Sequence, residues 1–191
     1  MFDTLLIRNF VDPHMAQRIA HQLLDAPSID APVYAGGDQP RVEHQTRRAD
    51  LLSPDAATAA FIDGLLKDAQ PAIAKHFGVN LNGFETPQYL RYTAGGFFVA
   101  HQDGNVAILR DESLGRRVSI VIFLNARSDD PAEGAYGGGE LTFHGKYPHF
   151  DARHVVAAEP GSLVAFRSET THEVTPVAHG ERYTIVSWYR E

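Results

Sequence analysis

The stretch from Arg117 to Asn125 narrows most what this chain can fold into. It reads as one strand, with Val118, Ile120, Val121 and Ile122 giving it apolar residues on both faces. Alternate side chains of a strand point to opposite faces. A strand apolar on both sides needs cover on both sides, so it lies between layers. Further strand candidates follow from Gly83 onward: Tyr89-Leu90-Arg91-Tyr92, Leu141 to Phe143, Val155-Val156, Leu163 to Phe166 after the Gly161 turn, and Tyr183 to Tyr189. Their β-branched and aromatic content marks them as strands. The Gly95-Gly96 turn and a glycine-rich loop from Asp129 to Gly139 punctuate them.

The first part of the chain reads differently. Leu5 to Phe10 is a short apolar strand candidate. Asp12-Pro13 opens a helix predicted to reach about Ala26, with Met15, Ile19 and Leu23 on one stripe. Its His14 and His21 are expected at the surface. Ser53-Pro54-Asp55 repeats the helix-start signature, and the second helix is predicted to run to about Phe77. Phe61, Leu65 and Leu66 are expected to face inward, and Pro71 to kink or divide it. Residues 27–50, with Pro32, Gly36-Gly37, Pro40, Arg41, Arg47 and Arg48, read as a solvated loop, with a lid as the alternative. With no repeat, low-complexity tract or linker, the expectation is one α+β domain over residues 1–191. Residues 1–80 would form helical support and 81–191 a barrel or jelly-roll core.

Composition removes several classes of function. The chain has 191 residues, enough for one sizeable core, and no cysteine, so disulfides, thiolate metal sites and cysteine nucleophiles are excluded. A net charge of −7 disfavours nonspecific nucleic-acid binding. No apolar run suits a membrane span, and Met1-Phe2-Asp3-Thr4 lacks a basic, apolar leader. A cytoplasmic setting is expected, since the lack of cysteine fits a reducing compartment.

The chemistry begins at Tyr92-Thr93-Ala94-Gly95-Gly96-Phe97-Phe98-Val99-Ala100-His101-Gln102-Asp103. His101 and Asp103 stand two apart, so in an extended chain they project together. They supply two legs of a two-histidine, one-carboxylate facial triad, the donor set that holds Fe(II) with positions left open. His172 is the candidate third leg. Ten residues later Arg182 opens the last strand and shares a face with Thr184. A fixed guanidinium there suits bidentate recognition of a carboxylate.

Taken in order, these motifs resemble the Fe(II)- and 2-oxoglutarate-dependent dioxygenases of the prolyl 4-hydroxylase-like branch, including the hypoxia-type prolyl hydroxylases. The resemblance runs from about Gln88 to Tyr189, and adds Phe123-Leu124-Asn125, Gly137 to Phe143, Arg182-Tyr183 and Trp188-Tyr189 to the motifs above. It implies a double-stranded β-helix, or jelly roll, braced by N-terminal helices. It implies His101, Asp103 and His172 as iron ligands and Arg182 as partner of the distal 2-oxoglutarate carboxylate. Tyr92, Thr184, Phe123 and Leu141 would complete the co-substrate pocket. O2 is the second co-substrate, and ascorbate an auxiliary reductant. The reaction implied is hydroxylation with release of succinate and CO2, on a prolyl residue of a protein or peptide. A small molecule or free amino acid is the alternative, and a cupin-type binding protein without redox chemistry a second. Close relatives of the hypoxia-type enzymes carry Tyr where this chain has Phe123, so one hydroxyl for the carboxylate is missing. Asp103, in place of Gly or Ala, argues against a halogenase.

The dry wall of the pocket is expected from Phe97, Val99, Val121, Phe123, Leu141 and Trp188. His144, His149, His154 and His179 are read as exposed or satisfied histidines, and Glu173 as pointing away from the metal.

Overall fold

A computed structural model describes residues 2–33, 41–104, 112–147 and 150–191. The elements run in chain order: β1 (Thr4–Ile7), α1 (Pro13–Leu23), β2 (Ser28–Asp30), β3 (Arg47–Arg48), β4 (Asp50–Leu52) and α2 (Ala56–Phe77). Then follow β5 (Gly83–Phe84), β6 (Gln88–Tyr92), β7 (Phe97–His101), β8 (Arg116–Phe123), β9 (Gly137–Gly138) and β10 (Leu141–Tyr147). The last are β11 (Phe150–Val155), β12 (Leu163–Arg167), β13 (Thr171–Val174), β14 (Val177–His179) and β15 (Arg182–Arg190). The described residues are mostly β-sheet with two helices. Gly36, Gly37, Pro40 and His149 lie outside them.

Two sheets carry the architecture. The larger orders its strands β1-β12-β8-β15-β6-β4-β2, with β5 paired to the end of β15. The smaller orders β11-β10-β13-β7-β3, and β14 pairs with β9 in a separate ribbon. Every pairing between these strands is antiparallel. Strand β8 lies between β12 and β15, as its two apolar faces require. Val118, Ile120 and Ile122 pack with the helices, whereas Val121 and Phe123 pack with Leu141 and Phe143 of the smaller sheet. Each such fully buried aliphatic or aromatic side chain contributes about 1.5–3 kcal/mol. Strand β15 divides the same way: Tyr183, Ile185 and Tyr189 join the helix-side core, leaving Arg182, Thr184, Val186 and Trp188 for the space between the sheets.

The helices cover the outer face of the larger sheet. Asp12 caps α1, accepting from the His14 and Met15 amides at 3.0 and 3.2 Å. Ile19 and Leu23 are buried, and His14 and His21 are exposed, as expected. This helix stops at Leu23, short of Ala26. The second helix begins later than expected: Asp55 is the cap, accepting from the Thr58 amide at 2.7 Å, and Ser53 and Pro54 stay outside. It runs unbroken through Pro71. Pro71 and Lys67 are exposed, so the Lys67 carbonyl that loses its helical donor faces water. The buried stripe is Ile62, Leu66, Ile73 and Phe77; Leu65 is half-buried and Phe61 is exposed, contrary to expectation. A one-residue step turns a helical side chain about 100° around the axis, which carries Phe61 off the stripe that holds Ile62. The 27–50 stretch is also more ordered than a solvated loop: β2, β3 and the start of β4 fall in it, and Arg47 is buried.

Gly161 ties these layers together. Its carbonyl accepts from the Val11 amide at 2.9 Å, and its amide donates to the Phe123 carbonyl at 2.7 Å. Its φ is +80°, and a Cβ there would overlap the Val11 carbonyl oxygen. Gly161→Ala is expected to destabilise the fold by more than the about 1–2 kcal/mol of a left-handed alanine alone, read as a lower urea midpoint at unchanged m-value.

Candidate metal centre

Antiparallel pairing of β7 with β13 sets His101 directly opposite His172. Their ring centroids are 4.3 Å apart. Asp103 follows the end of β7 and turns its carboxylate toward both rings: Oδ1 is 3.4 Å from His101 Nε2, and Oδ2 is 3.5 Å from His172 Nε2. The ligand atoms of the three residues all lie within 4.8 Å of one another.

The surroundings orient each donor. His101 Nδ1 lies 2.8 Å from the Val99 carbonyl oxygen and His172 Nδ1 2.9 Å from that of Thr170. Carbonyls accept only, so Nδ1 carries the proton on both rings and Nε2 presents the lone pair toward Asp103. The Asp103 amide donates to the Ser168 carbonyl at 2.9 Å, and Arg116 Nη1 donates to the Asp103 carbonyl at 3.1 Å. The next residue is Gly104, where a Cβ would overlap the Ser113 carbonyl oxygen.

Burial alone would raise the Asp103 carboxyl, but the attraction of His172, with His101 alongside, outweighs it and holds the carboxyl well below its usual range. Burial pushes the His172 imidazole down to about 4, against the opposing pull of Asp103. Near neutral pH the pair is therefore a carboxylate and a neutral imidazole, the states that a cation requires. Two imidazoles and one carboxylate converging from one side fit Fe(II) and leave coordination positions free.

The wall opposite carries a second charged group. Arg182 on β15 is 1% exposed. Its guanidinium lies 5.2 Å from the Tyr92 ring centre and 5.4 Å from that of Phe123. Nη1 donates to Thr184 Oγ1 at 3.3 Å, and Nε is buried without a partner. Among the described residues no carboxylate pairs with this cation. Tyr92, Leu141, Arg182 and Thr184 line one cavity together with His101, Asp103 and His172. Phe123 lies against Arg182 but is not among the residues that line the cavity.

Val121, Leu141 and Trp188 stand on the wall as expected; Phe97 and Val99 do not. Phe98 takes their place, stacked on His101 at 3.6 Å between ring centres. The cause is a β-bulge: His172 faces His101 but Val174 faces Phe98, so three residues of β13 span four of β7. The extra residue inverts the alternation upstream of His101. Glu173 does point away, meeting His144 at 3.0 Å. Arg117 is engaged by Glu191 at 2.8 Å.

The signature of the 2OG-Fe(II) oxygenase superfamily matches residues 87–190. The chain belongs to that superfamily. A PKHD-type hydroxylase of Paracoccus denitrificans is 32% identical over 104 residues, covering 53% of this chain and 41% of that protein. Another from Sphingopyxis alaskensis is 33% identical over 146 residues, covering 76% and 62%. The chain thus matches less than two thirds of these relatives' length. Among solved structures, a Pseudomonas putida prolyl-4-hydroxylase superposes with a TM-score of 0.69 at 22% identity, over 100% of this chain and 94% of that one. A Trichoplax adhaerens prolyl hydroxylase, bound to a hypoxia inducible factor peptide, gives 0.68 at 17%, over 100% and 84%. These likenesses show the oxygenase fold.

Three residues at the site escaped the sequence. Phe98 was hidden by the bulge, and Arg47 lay among loop arginines with nothing to single it out. Arg116 is the third: it is paired twice with Glu85, at 2.7 and 2.8 Å, and its guanidinium lies 3.8 Å from the Trp188 ring centre. Nothing in the sequence around it singled it out. Arg116→Ala removes the anchor of the Asp103 carbonyl and leaves Glu85 to Arg190 alone. Denaturant unfolding should show a loss of about 2–4 kcal/mol, and calorimetric titration a divalent-metal affinity weaker by roughly tenfold or more.

Proposed function

We propose that this chain is an Fe(II)- and 2-oxoglutarate-dependent dioxygenase that hydroxylates a prolyl residue in a protein or peptide. The convergence of His101, Asp103 and His172 opposite the buried Arg182 carries this reading. Membership of the superfamily supports the cofactors, and the prolyl hydroxylases among the solved structures of similar fold favour the substrate. The strand winding fits a double-stranded β-helix, and the absence of cysteine favours a cytoplasmic setting.

In this reading His101 Nε2, Asp103 and His172 Nε2 hold the iron. An iron held there would supply the chemistry that links reduction of O2 to oxidative decarboxylation of 2-oxoglutarate, with succinate, CO2 and a hydroxylated substrate carbon as products. Arg182 receives the distal carboxylate of 2-oxoglutarate. Its Nε supplies a free donor, and Tyr92 and Phe123 fix the guanidinium from its faces. Thr184 already accepts from Arg182, so its own hydroxyl hydrogen is left to donate to the same carboxylate. Val121, Leu141 and Trp188 exclude water from the reacting atoms.

Succinate release from 2-oxoglutarate, with Fe(II), ascorbate and proline-containing peptides, is the direct test. His101→Ala, Asp103→Ala and His172→Ala should each abolish turnover while the circular dichroism spectrum stays native. Full turnover by any of them would remove that residue from the ligand set. Arg182→Ala should raise the 2-oxoglutarate requirement roughly ten- to a hundredfold, the equivalent of about 1.5–3 kcal/mol for a charge-assisted pair, with metal affinity little changed.

Phe123→Tyr is expected to tighten 2-oxoglutarate binding by less than about 1.5–3 kcal/mol, because Thr184 supplies part of the missing donor. Titration of the metal-loaded wild type and variant reads this directly; weaker binding in the variant would show that the ring packs where no hydroxyl fits.

A further inference from the structure

Arg47 places a second guanidinium in the same cavity, and nothing in the reaction above uses it. Strand β3 pairs with β7 so that Arg47 faces Phe98 across the ladder. The residue is 6% exposed and lines the cavity with the three metal-binding candidates and Arg182. Its guanidinium lies 4.9 Å from the centre of the Phe98 ring, the ring that stacks on His101. Nη1 donates to the Pro32 carbonyl at 3.1 Å, whereas Nε is buried without a partner. Among the described residues no carboxylate pairs with it.

Charge decides what this group is for. In the loaded site the two positive charges of Fe(II) and the one of Arg182 are matched by Asp103 and the two carboxylates of 2-oxoglutarate. Arg47 adds a positive charge that this set leaves unmatched. An isolated buried cation is costly, and such groups are found paired. A guanidinium over an aromatic ring keeps donors for an acceptor at its edge, here the partnerless Nε, and a carboxylate is the acceptor whose geometry and charge both fit.

We infer that Arg47 receives a carboxylate of the primary substrate, which narrows the substrate class to prolyl compounds carrying a carboxylate close to the oxidised ring. The carboxylate belongs either to proline itself or to an acidic residue beside a prolyl residue. The inference rests on the dioxygenase reading of the cavity.

The test uses the whole chain loaded with Mn(II) and saturating 2-oxoglutarate, so that Arg182 is already occupied. Trp188, the sole tryptophan, lines the cavity and reports binding by its fluorescence. The probes are N-acetyl-L-proline, N-acetyl-L-prolinamide and the amidated dipeptide acetyl-Pro-Asp. At least one of the two carboxylates should bind roughly tenfold or more tighter than the prolinamide, as a charge-assisted pair requires, and which one does identifies the source of the carboxylate. Arg47→Gln should erase that preference while Mn(II) and 2-oxoglutarate affinities stay unchanged. If Arg47→Gln does not fold, Arg47→Lys decides: it keeps the charge and loses the fork, so the preference should shrink. Equal binding of all three probes, binding of none, or a preference untouched in the variants would overturn the inference. Failure of the wild type to bind Mn(II) or 2-oxoglutarate would overturn the dioxygenase reading, and this inference with it.

Discussion

The site depends on the register of β7 against β13. His101 and His172 are distant in sequence and meet only because that antiparallel pair sets them opposite each other. A slip of one residue would send every side chain of a strand to its other face and pull the rings apart. What prevents the slip lies outside the pair. Strand β13 is also bound to β10, where Leu141, Phe143 and their neighbours are locked between the sheets by Val121, Val164 and Phe166. Apolar packing in one part of the sandwich thus fixes the positions of polar donors in another.

The larger sheet works under the opposite demand. Its β15 buries apolar residues against the helices and polar ones against the cavity, with Arg182 and Thr184 essentially without exposure. A guanidinium so placed needs acceptors. Thr184 answers one nitrogen, and two aromatic rings flank the group, yet no described carboxylate does. The helix-side core of Ile62, Leu66, Ile73, Ile120, Ile122 and Ile185 is what makes such a cavity wall sustainable. Burial there is of the order of several times about 1.5–3 kcal/mol, against a few kcal/mol for an incompletely satisfied cation.

How much was legible in the sequence follows from which regularities the chain obeys. Strand β8 keeps its alternation from Val118 to Phe123 and β15 from Thr184 to Tyr189, with a register shift only beyond them, so the cavity residues Val121, Arg182, Thr184 and Trp188 could be placed from spacing. The His-x-Asp pair was readable for the same reason. Strand β7 breaks alternation with one bulge, and everything assigned upstream of His101 by counting twos came out on the wrong face: Phe97 and Val99 in place of Phe98. A bulge has no composition of its own here, so spacing could not reveal it. Helix phase failed at Phe61 because the stripe expected through Phe61, Leu65 and Leu66 is offset by about one residue from the buried one through Ile62 and Leu66. Pro71 was read as a break, but its lost hydrogen bond falls on the side facing water. Arg47 was invisible for a different reason. It belongs to a two-residue strand in an irregular stretch: the tertiary pairing with β7 separates it from Arg41, and the buried face it takes separates it from Arg48.

The bulge also has a consequence for the chemistry of the cavity. Without the extra residue, Val99 and not Phe98 would oppose Val174, and the position next to His101 on the cavity face would be a flexible aliphatic group. With it, an aromatic ring lies flat on His101 and offers a surface to the guanidinium of Arg47. One inserted residue therefore does two things: it restrains a metal-binding candidate ring, and it joins β3 to the site through Phe98. Among the described residues β3 pairs with β7 alone, and that pairing brings Arg47 to a buried position beside the three donors. The bulge, the stacked ring and the second cation form one arrangement, each part following from the one before.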